Sequence, residues 1–194
     1  MSINNGNIEK WRDMLKSRLK PNRYEHSLGV AETAKFLAAR FGLDEEKAYI
    51  AGLLHDCARE YENGALPAEA RKRGIIIGEV EEHSPLLLHA YVGAKRLAEI
   101  YGVEDEEIAQ AVWRHTVGGK NMTDLDKIIY FADMIEPGRS YPQVEELRRY
   151  AREKSLDEMT LKGFNESILF IVAKGELIHP ATIQARNELL LKLR

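Results

Sequence analysis

Six ionisable residues in the sequence have the chemistry of metal ligands. They are four histidines and two aspartates: His26, His55, Asp56, His89, His115 and Asp133. Apart from the adjacent pair, each falls in a different predicted helix. Neutral imidazole and carboxylate groups bind divalent transition metals well. The set therefore predicts a site for a divalent transition metal.

The position of each residue within its helix strengthens this prediction. His26 continues the apolar stripe of Val30 and Ala34, and Asp133 lies one turn after Ile129. Such spacings place a polar group on the face that its helix should bury. Burying an ionisable group is costly unless it is paired or binds a metal. One buried histidine is more often an ordinary core residue, but four histidines and two aspartates together favour a shared metal.

Helical patterns cover almost the whole chain and must position these residues. Proline, glycine and capping residues mark the ends of the predicted helices. The predicted spans are 8–19, 22–41, 44–59, 67–74, 85–102, 105–116, 123–135, 142–154, 156–174 and 180–193. The stretch 74–78, with three isoleucines, is the only strand-like segment in the sequence. The sequence therefore predicts an all-α bundle of nine or ten helices with short connections.

Composition narrows the class of protein. The chain has 194 residues, 44% hydrophobic and 30% charged, which indicates an ordinary globular protein with a sizeable core. Its net charge of -3 argues against non-specific binding of nucleic acid, which usually needs a basic face. Cys57 is the only cysteine, so an internal disulfide is excluded and a reducing compartment is expected.

The polar segment Met1 to Asn7 and the lack of any long apolar run bear on location. No apolar stretch follows that segment as in a secretory signal, and no stretch approaches the roughly 18 apolar residues of a membrane-spanning helix. We therefore expect a soluble cytoplasmic protein without a membrane partner, and a homodimer is left open.

The order of the ligand candidates resembles that of a known superfamily. His26, then His55-Asp56, then a distant Asp133 resembles the signature of the HD superfamily of metal-dependent phosphohydrolases. Longer segments resemble the bacterial YqeK family: Leu87-Leu88-His89-Ala90, His115-Thr116, the run from Asp126 to Asp133 with Glu136-Pro137 and Arg139, and Ile178-His179-Pro180. The likeness extends from about Arg23 to Asn187. At Val117 the chain departs from that family's pattern, in which a second threonine follows His-Thr.

The resemblance implies roles for the six residues. A first metal would be held by four of them: His26, His55, Asp56 and Asp133. His89 and His115 would either contact the phosphates or hold a second metal that Asp56 bridges. Asp56, His89 and His115 are the predicted catalytic residues, and either histidine could protonate a leaving oxygen because imidazole titrates near neutrality. The expected metal is iron, as one or two ions, with manganese or another divalent transition metal as alternatives.

A polyphosphate substrate would also need cations near the metal. Arg139, Arg59 and Arg23 are the candidates, because a guanidinium can hold phosphate oxygens in a bidentate manner. The resemblance further implies that the loop 175–181, with His179, closes over a base or ribose; the simpler alternative is a plain connection between helices. The predicted substrate-binding set is Arg23, His26, Asp56, Arg59, His89, His115, Asp133, Arg139 and His179.

The resemblance implies a single HD-type phosphohydrolase domain over 1–194, with a core of about 22–140 completed by helices in 142–193. The implied activity is symmetrical hydrolysis of diadenosine tetraphosphate and related dinucleoside tetraphosphates to two nucleoside diphosphates. One alternative is an HD phosphohydrolase for another nucleotide, such as a nucleoside monophosphate or a guanosine alarmone. Another is a non-catalytic helical module. The expected partners are a small dinucleoside polyphosphate and its nucleoside diphosphate product, without nucleic acid.

Overall fold

Helices account for the regular structure of residues 5–194, the part of the chain that this computed structural model describes. Within that range lie α1 (Asn5–Arg18), α2 (Pro21–Phe41), α3 (Glu45–Leu54), α4 (Leu66–Lys72), α5 (Glu79–His83), α6 (Leu88–Arg96), α7 (Glu106–Arg114), α8 (Asp124–Ile135), α9 (Val144–Glu153), α10 (Leu156–Ala173) and α11 (Pro180–Lys192). Short 3-10 turns span Cys57–Glu60 and Pro85–Leu87, and a π-helical turn spans Leu97–Tyr101. The described residues contain no β-strand, which confirms the all-α prediction.

Side-chain caps fix the starts of three helices that lead to ligand candidates, α3, α7 and α8. α8 begins with a capping box, in which the Thr123 hydroxyl accepts from the Asp126 N–H and the Asp126 carboxylate accepts from the Thr123 N–H. The carboxylates of Asp44 and Asp105 cap α3 and α7. These caps satisfy backbone N–H groups that the start of a helix leaves without partners.

The main core lies between α2, α3, α7 and α8. Its fully buried side chains include Leu37 of α2, Ile50 of α3 and Phe131 of α8. α2 and α3 approach closely at Gly52, where an added Cβ would lie 2.9 Å from the Cα of Ala31. Only a residue without a side chain fits there, so this helix pair depends on glycine at that position.

The C-terminal helices add to the core beside α8. Tyr130 of α8 stacks on Phe164 of α10 with ring centroids 4.2 Å apart, and Leu189 of α11 joins the same buried cluster. Met159 of α10 belongs to the main core. We propose on this basis that the chain is a single domain, in which the C-terminal helices complete a core formed by residues of about 22–140.

The segment around His55 differs from the predicted single helix over 44–59. α3 ends at Leu54, and a 3-10 turn begins at Cys57. Asp56 lies between them with φ -102° and ψ 17°, and its carbonyl accepts from the Arg59 N–H at 2.8 Å. The helical pattern of the sequence continues through this break because the 3-10 turn also buries side chains at short intervals.

Other boundaries also differ from the prediction. Pro21 begins α2 rather than only ending the preceding helix, because the first helical position does not need its missing N–H. The predicted helix over 85–102 is divided into a 3-10 turn, α6 and a π-helical turn. α5 was not predicted, since a single helical turn carries no periodic pattern. The strand-like segment 74–78 is not a strand, and Ile76 within it is 92% exposed.

No helix of the described residues has both the length and the apolar character needed to cross a bilayer.

The close contact at Gly52 generates a test of the fold. We expect Gly52→Ala to lower the free energy of unfolding by about 1–3 kcal/mol, because the new methyl group would meet the backbone of α2. Chemical denaturation would measure this change. Gly6→Ala is the matched control, since an added Cβ there meets nothing within 4 Å. Equal stability of Gly52→Ala and the unaltered chain would contradict this account of the α2–α3 contact.

Candidate metal centre

The six ligand candidates come together from five parts of the fold. α2 carries His26, α6 carries His89 and α8 carries Asp133, while His115 directly follows the last residue of α7. The turn after α3 carries the remaining two, His55 and Asp56. The four histidines and Asp56 are buried, and Asp133 is partly exposed. The structure therefore brings together all of the residues that the sequence pattern proposed as one site.

Asp56 lies at the middle of this group and faces histidines on both sides. Its Oδ2 is 3.4 Å from Nε2 of His55 and 3.7 Å from Nε2 of His26. Its Oδ1 is 3.1 Å from Nε2 of His89 and 3.8 Å from Nε2 of His115. One carboxylate thus divides its two oxygens between two pairs of imidazoles. This arrangement can serve two neighbouring ions that share Asp56.

Two ligand groups can be distinguished on either side of Asp56. One consists of His26, His55 and Asp56, and the other of Asp56, His89 and His115; within each, the ligand atoms lie within 4.8 Å of one another. Asp133 extends the first group, because its Oδ1 is 3.0 Å from Nε2 of His26 and 4.0 Å from Nε2 of His55. The first group with Asp133 is the set that the family resemblance implied for one metal.

Hydrogen bonds to Nδ1 determine which nitrogen each histidine presents. Three of the histidines bond through Nδ1 to the carbonyl oxygen three residues earlier. These pairs are His55 with Gly52 at 2.7 Å, His89 with Leu86, and His115 with Val112 at 2.6 Å. A carbonyl oxygen only accepts, so each Nδ1 carries a proton and Nε2 is the nitrogen that faces the site. An outer hydrogen bond of this kind fixes the tautomer and orientation of a metal-binding histidine.

The unpartnered nitrogens of the site supply a test of whether a metal fits. Nε2 of His26 and Nε2 of His55 are both buried without a hydrogen-bond partner among the described residues. Buried polar atoms nearly always have a partner, so these two nitrogens indicate a bound group between them. The surrounding donors are imidazole nitrogens and carboxylate oxygens, which suit a divalent transition metal. The residues present therefore fit a metal ion.

The charge states of Asp56 and His115 agree with this fit. Although burial alone would raise the pKa of Asp56, the charges and hydrogen bonds of His55 and His89 hold it well below its usual range. Burial and the neighbouring charges of His55 and His89 lower the pKa of His115 to about 3. Asp56 is therefore ionised and His115 neutral near neutral pH. These are the forms in which both residue types bind metal.

The three arginines proposed for phosphate binding lie near the site in different states. Arg23 donates from Nη1 to Oδ2 of Asp56 at 2.7 Å. Arg139 donates to the carboxylate of Asp133 and, from Nε, to its carbonyl at 2.8 Å. Arg59 is partly buried close to Asp56, and its guanidinium makes no hydrogen bond or ion pair within the described range. Of the three arginines, Arg59 therefore has the guanidinium that is most available to a phosphate.

A cavity of about 220 Å³ adjoins the centre. Its walls are mainly apolar and include Leu87, Val117, Phe170 and Ile171. Thr116 also lines it, and the Thr116 hydroxyl is 3.1 Å from Nε2 of His115 and 3.4 Å from Nε2 of His89. The cavity and the histidine cluster therefore share Thr116, a residue that sequence reasoning had not assigned to the site.

His179 lies outside the histidine cluster but on the wall of this cavity. Its Nε2 is 3.0 Å from Oε1 of the buried Glu81, and its Nδ1 accepts from the Ala181 N–H at 3.0 Å, as a cap of α11. The Tyr91 hydroxyl also donates to Glu81. These bonds fix the loop before α11 against α5 and α6. They hold His179 in place beside the cavity rather than beside the metal ligands.

Two further buried groups complete the surroundings. Glu136 lies one turn after Asp133, and its Oε1 is 3.1 Å from Nδ1 of His26. Sequence reasoning had not assigned it to the site, although its spacing of three from Asp133 was an available signal. Cys57 follows Asp56 but is directed into the core, where burial raises the pKa of its thiol to about 12. A thiol in this state is a buried apolar group rather than a ligand.

Comparison with known proteins places this geometry in a family. An HD domain model matches residues 23–138. A symmetrical bis(5'-nucleosyl)-tetraphosphatase from Halalkalibacterium halodurans is 36% identical over 186 residues, covering 96% of this chain and 98% of that protein. The protein of the same name from Bacillus subtilis is 37% identical over 185 residues, covering 93% of this chain and 96% of that protein.

A solved structure gives the same result for the fold. It is the crystal structure of a predicted HD superfamily hydrolase involved in NAD metabolism from Clostridium acetobutylicum. It matches with a TM-score of 0.91 and 40% identity, covering 95% of this chain and 97% of that chain. The predicted HD-type helical bundle is thereby confirmed. The chain belongs to the HD-domain family and, within that family, to the YqeK-like group.

Proposed function

We propose that this chain is a metal-dependent phosphohydrolase that cleaves diadenosine tetraphosphate and related dinucleoside tetraphosphates into two nucleoside diphosphates. The observation that carries the proposal is the position of Asp56, whose two oxygens face two pairs of imidazole nitrogens. The sequence similarity to relatives named for this activity extends over nearly the whole chain, which supports the choice of substrate.

The metal would be held by residues that already lie together. His26, His55, Asp56 and Asp133 would bind one ion, and Asp56 with His89 and His115 could bind a second. Iron is the proposed metal, with manganese as the alternative, because both accept mixed imidazole and carboxylate ligands. When bound, the metal would supply Lewis acidity and a water of lowered pKa.

The side chains around the metal would bind the phosphates and handle protons. Arg59 is the best placed to receive a phosphate, since its guanidinium has no carboxylate partner within residues 5–194. Arg23 and Arg139 hold Asp56 and Asp133 in place and can present their remaining N–H groups to further oxygens. If His89 and His115 do not hold a second ion, Nε2 of either one is positioned to take a proton from the attacking water and pass it to the leaving oxygen.

The cavity next to Thr116 is the proposed place for one nucleoside. Its apolar walls and the ring of Phe170 suit the flat face of a base, and Ser167, His179 and Thr182 supply polar atoms at its edges. Because Thr116 touches both His89 and His115, a base in this cavity would place its phosphates at the metal centre. This arrangement gives His179 its proposed role as a nucleoside contact.

We propose a cytoplasmic location and a small-molecule dinucleotide as the partner. The single buried cysteine and the net charge of -3 support a reducing compartment and a small substrate rather than nucleic acid. The prediction of a homodimer stays open to measurement of mass in solution.

The first test concerns the activity itself. We expect diadenosine tetraphosphate to give only ADP, and Asp56→Ala to lose hydrolysis and metal together. The loss should exceed the roughly 10–100-fold effect of an outer-shell residue, because Asp56 faces both pairs of histidines. Ion-exchange analysis of the products and elemental analysis of the purified protein are the measurements.

The control for this test is Asp124→Ala, which removes an exposed carboxylate of α8 that lies 2.8 Å from Lys127. It should leave both activity and metal content unchanged. Formation of ATP and AMP, or a folded Asp56→Ala protein with full activity, would reject the proposed function.

Arg59 provides a test of phosphate binding. We expect Arg59→Ala to raise KM for the tetraphosphate by roughly 10-fold, which corresponds to loss of one charge-assisted hydrogen bond of about 1.5 kcal/mol. Its metal content should not change, because the Arg59 side chain bonds to no ligand candidate. Steady-state kinetics with elemental analysis would measure both. Arg71→Ala, at an exposed position, is the control. An unchanged KM would remove Arg59 from the substrate site.

Phe170 provides a test of the nucleoside cavity. We expect Phe170→Ala to raise KM for diadenosine tetraphosphate on the order of 10-fold, because stacking of a base on an aromatic ring contributes about 1–3 kcal/mol. The inhibition constant of inorganic tetraphosphate, which has no base, should stay the same. Leu169→Ala is the control, since Leu169 is exposed nearby but lines a different groove. Equal weakening of both compounds would contradict base binding at Phe170.

A further inference from the structure

Glu136 is a buried carboxylate at the end of α8 that serves two partners. Its Oε1 accepts from Nδ1–H of His26 at 3.1 Å. Its Oε2 accepts from the Gly138 N–H at 2.5 Å. Each oxygen therefore accepts one hydrogen bond, and the carboxylate cannot rotate without losing one of them. Oε1 also lies 3.8 Å from Nε of Arg139, as an ion pair.

His26 is the one histidine of the cluster that needs a partner from another helix. The other three bond through Nδ1 to a backbone carbonyl three residues earlier. His26 lies well inside α2 and uses the side chain of Glu136 instead. The orientation of its ring, and hence the direction of Nε2, depends on a group that one substitution can remove.

Two glycines make room for this carboxylate. A Cβ built on Gly29 would lie 2.6 Å from Oε2 of Glu136, and one built on Gly138 would lie 3.0 Å from both oxygens. Gly29 belongs to α2 and follows His26 by three residues, so both lie on the same side of the helix. The backbone around Glu136 is therefore shaped to hold a carboxylate against His26.

We propose that Glu136 is a positioning residue of the metal centre, which holds His26 as the Nδ1–H tautomer and directs its unprotonated Nε2 at the ion. The proposal rests on the metal site described above but does not depend on which substrate the chain cleaves. An outer carboxylate that orients a histidine ligand typically contributes 10–100-fold to metal affinity, and about that effect is expected here.

Glu136→Gln gives a sharp test because glutamine has the same shape. If its amide oxygen accepts from the Gly138 N–H, its NH₂ group faces Nδ1 of His26. That contact is a hydrogen bond only when the ring proton moves to Nε2, the atom that should bind the metal. If the amide is turned the other way, its NH₂ group opposes the Gly138 N–H, and two donors face each other. The first orientation is therefore expected, because a shift of the ring proton lets both of its contacts be hydrogen bonds.

The experiment compares the two proteins with and without metal. In the metal-free proteins, nitrogen-15 NMR at alkaline pH reports which ring nitrogen of His26 carries the proton. We expect Nδ1–H in the unaltered chain and Nε2–H in Glu136→Gln. Competition with a zinc chelator should give about 10–100-fold weaker zinc binding by the variant. Asp126→Asn is the control, since it removes a buried carboxylate of the same helix that bonds Arg114 rather than a ligand candidate.

Gly29→Ala keeps the proposal testable if Glu136→Gln does not fold. The new methyl group would displace the end of a flexible side chain, the Glu136 carboxylate, rather than backbone, so the fold should survive while zinc affinity falls. An unchanged His26 tautomer, or unchanged zinc affinity in the folded variants, would overturn the proposal. Failure of the unaltered chain to bind zinc would also overturn it. Zinc binding without hydrolysis of the tetraphosphate would reject the proposed function and leave the role of Glu136 supported.

Discussion

This structure depends on the interaction of one buried carboxylate, that of Asp56, with four imidazole rings. Asp56 has little exposed surface, and an isolated charge at such a position would be strongly unfavourable. The surrounding histidines, with Arg23 at its edge, make the ionised form acceptable. The same contacts hold an ionised oxygen toward each pair of histidines. The cost of burying Asp56 and the capacity to bind metal therefore have a single structural origin.

Two helices, α3 and α7, end at the metal centre rather than passing through it. α3 stops at Leu54 and α7 at Arg114, so that His55 and His115 occupy the position just after the last helical residue. There the ring can turn back and bond the carbonyl three residues earlier, because that carbonyl is free of a regular helical partner. The ends of the helices thus supply the outer hydrogen bonds that the ligands need. His26, inside a long helix, has no such carbonyl and depends on Glu136.

The sequence predicted the fold class and the six ligand candidates because both depend on local spacing. Apolar periodicity identifies a helix and its buried face, and both His26 and Asp133 continue the apolar stripe of their helix. The contacts of Thr116 and Glu136 could not be predicted in the same way, since they depend on how close separate helices come. The partners of Arg23 and Arg139 were also beyond the pattern, because an arginine reaches several groups within its length. The break after Leu54 was missed because a 3-10 turn continues a helical pattern.

The reactivity of the Cys57 thiol can report local opening of the folded chain. The thiol follows Asp56 directly, is fully buried in the core and has a pKa raised to about 12. In this state it is neutral and closed to alkylating reagents, whereas in an opened chain it would have the reactivity of an ordinary cysteine. Since it is the only cysteine of the sequence, every modified thiol would come from this one position. The rate of its labelling would therefore measure how often the turn that carries Asp56 separates from the core.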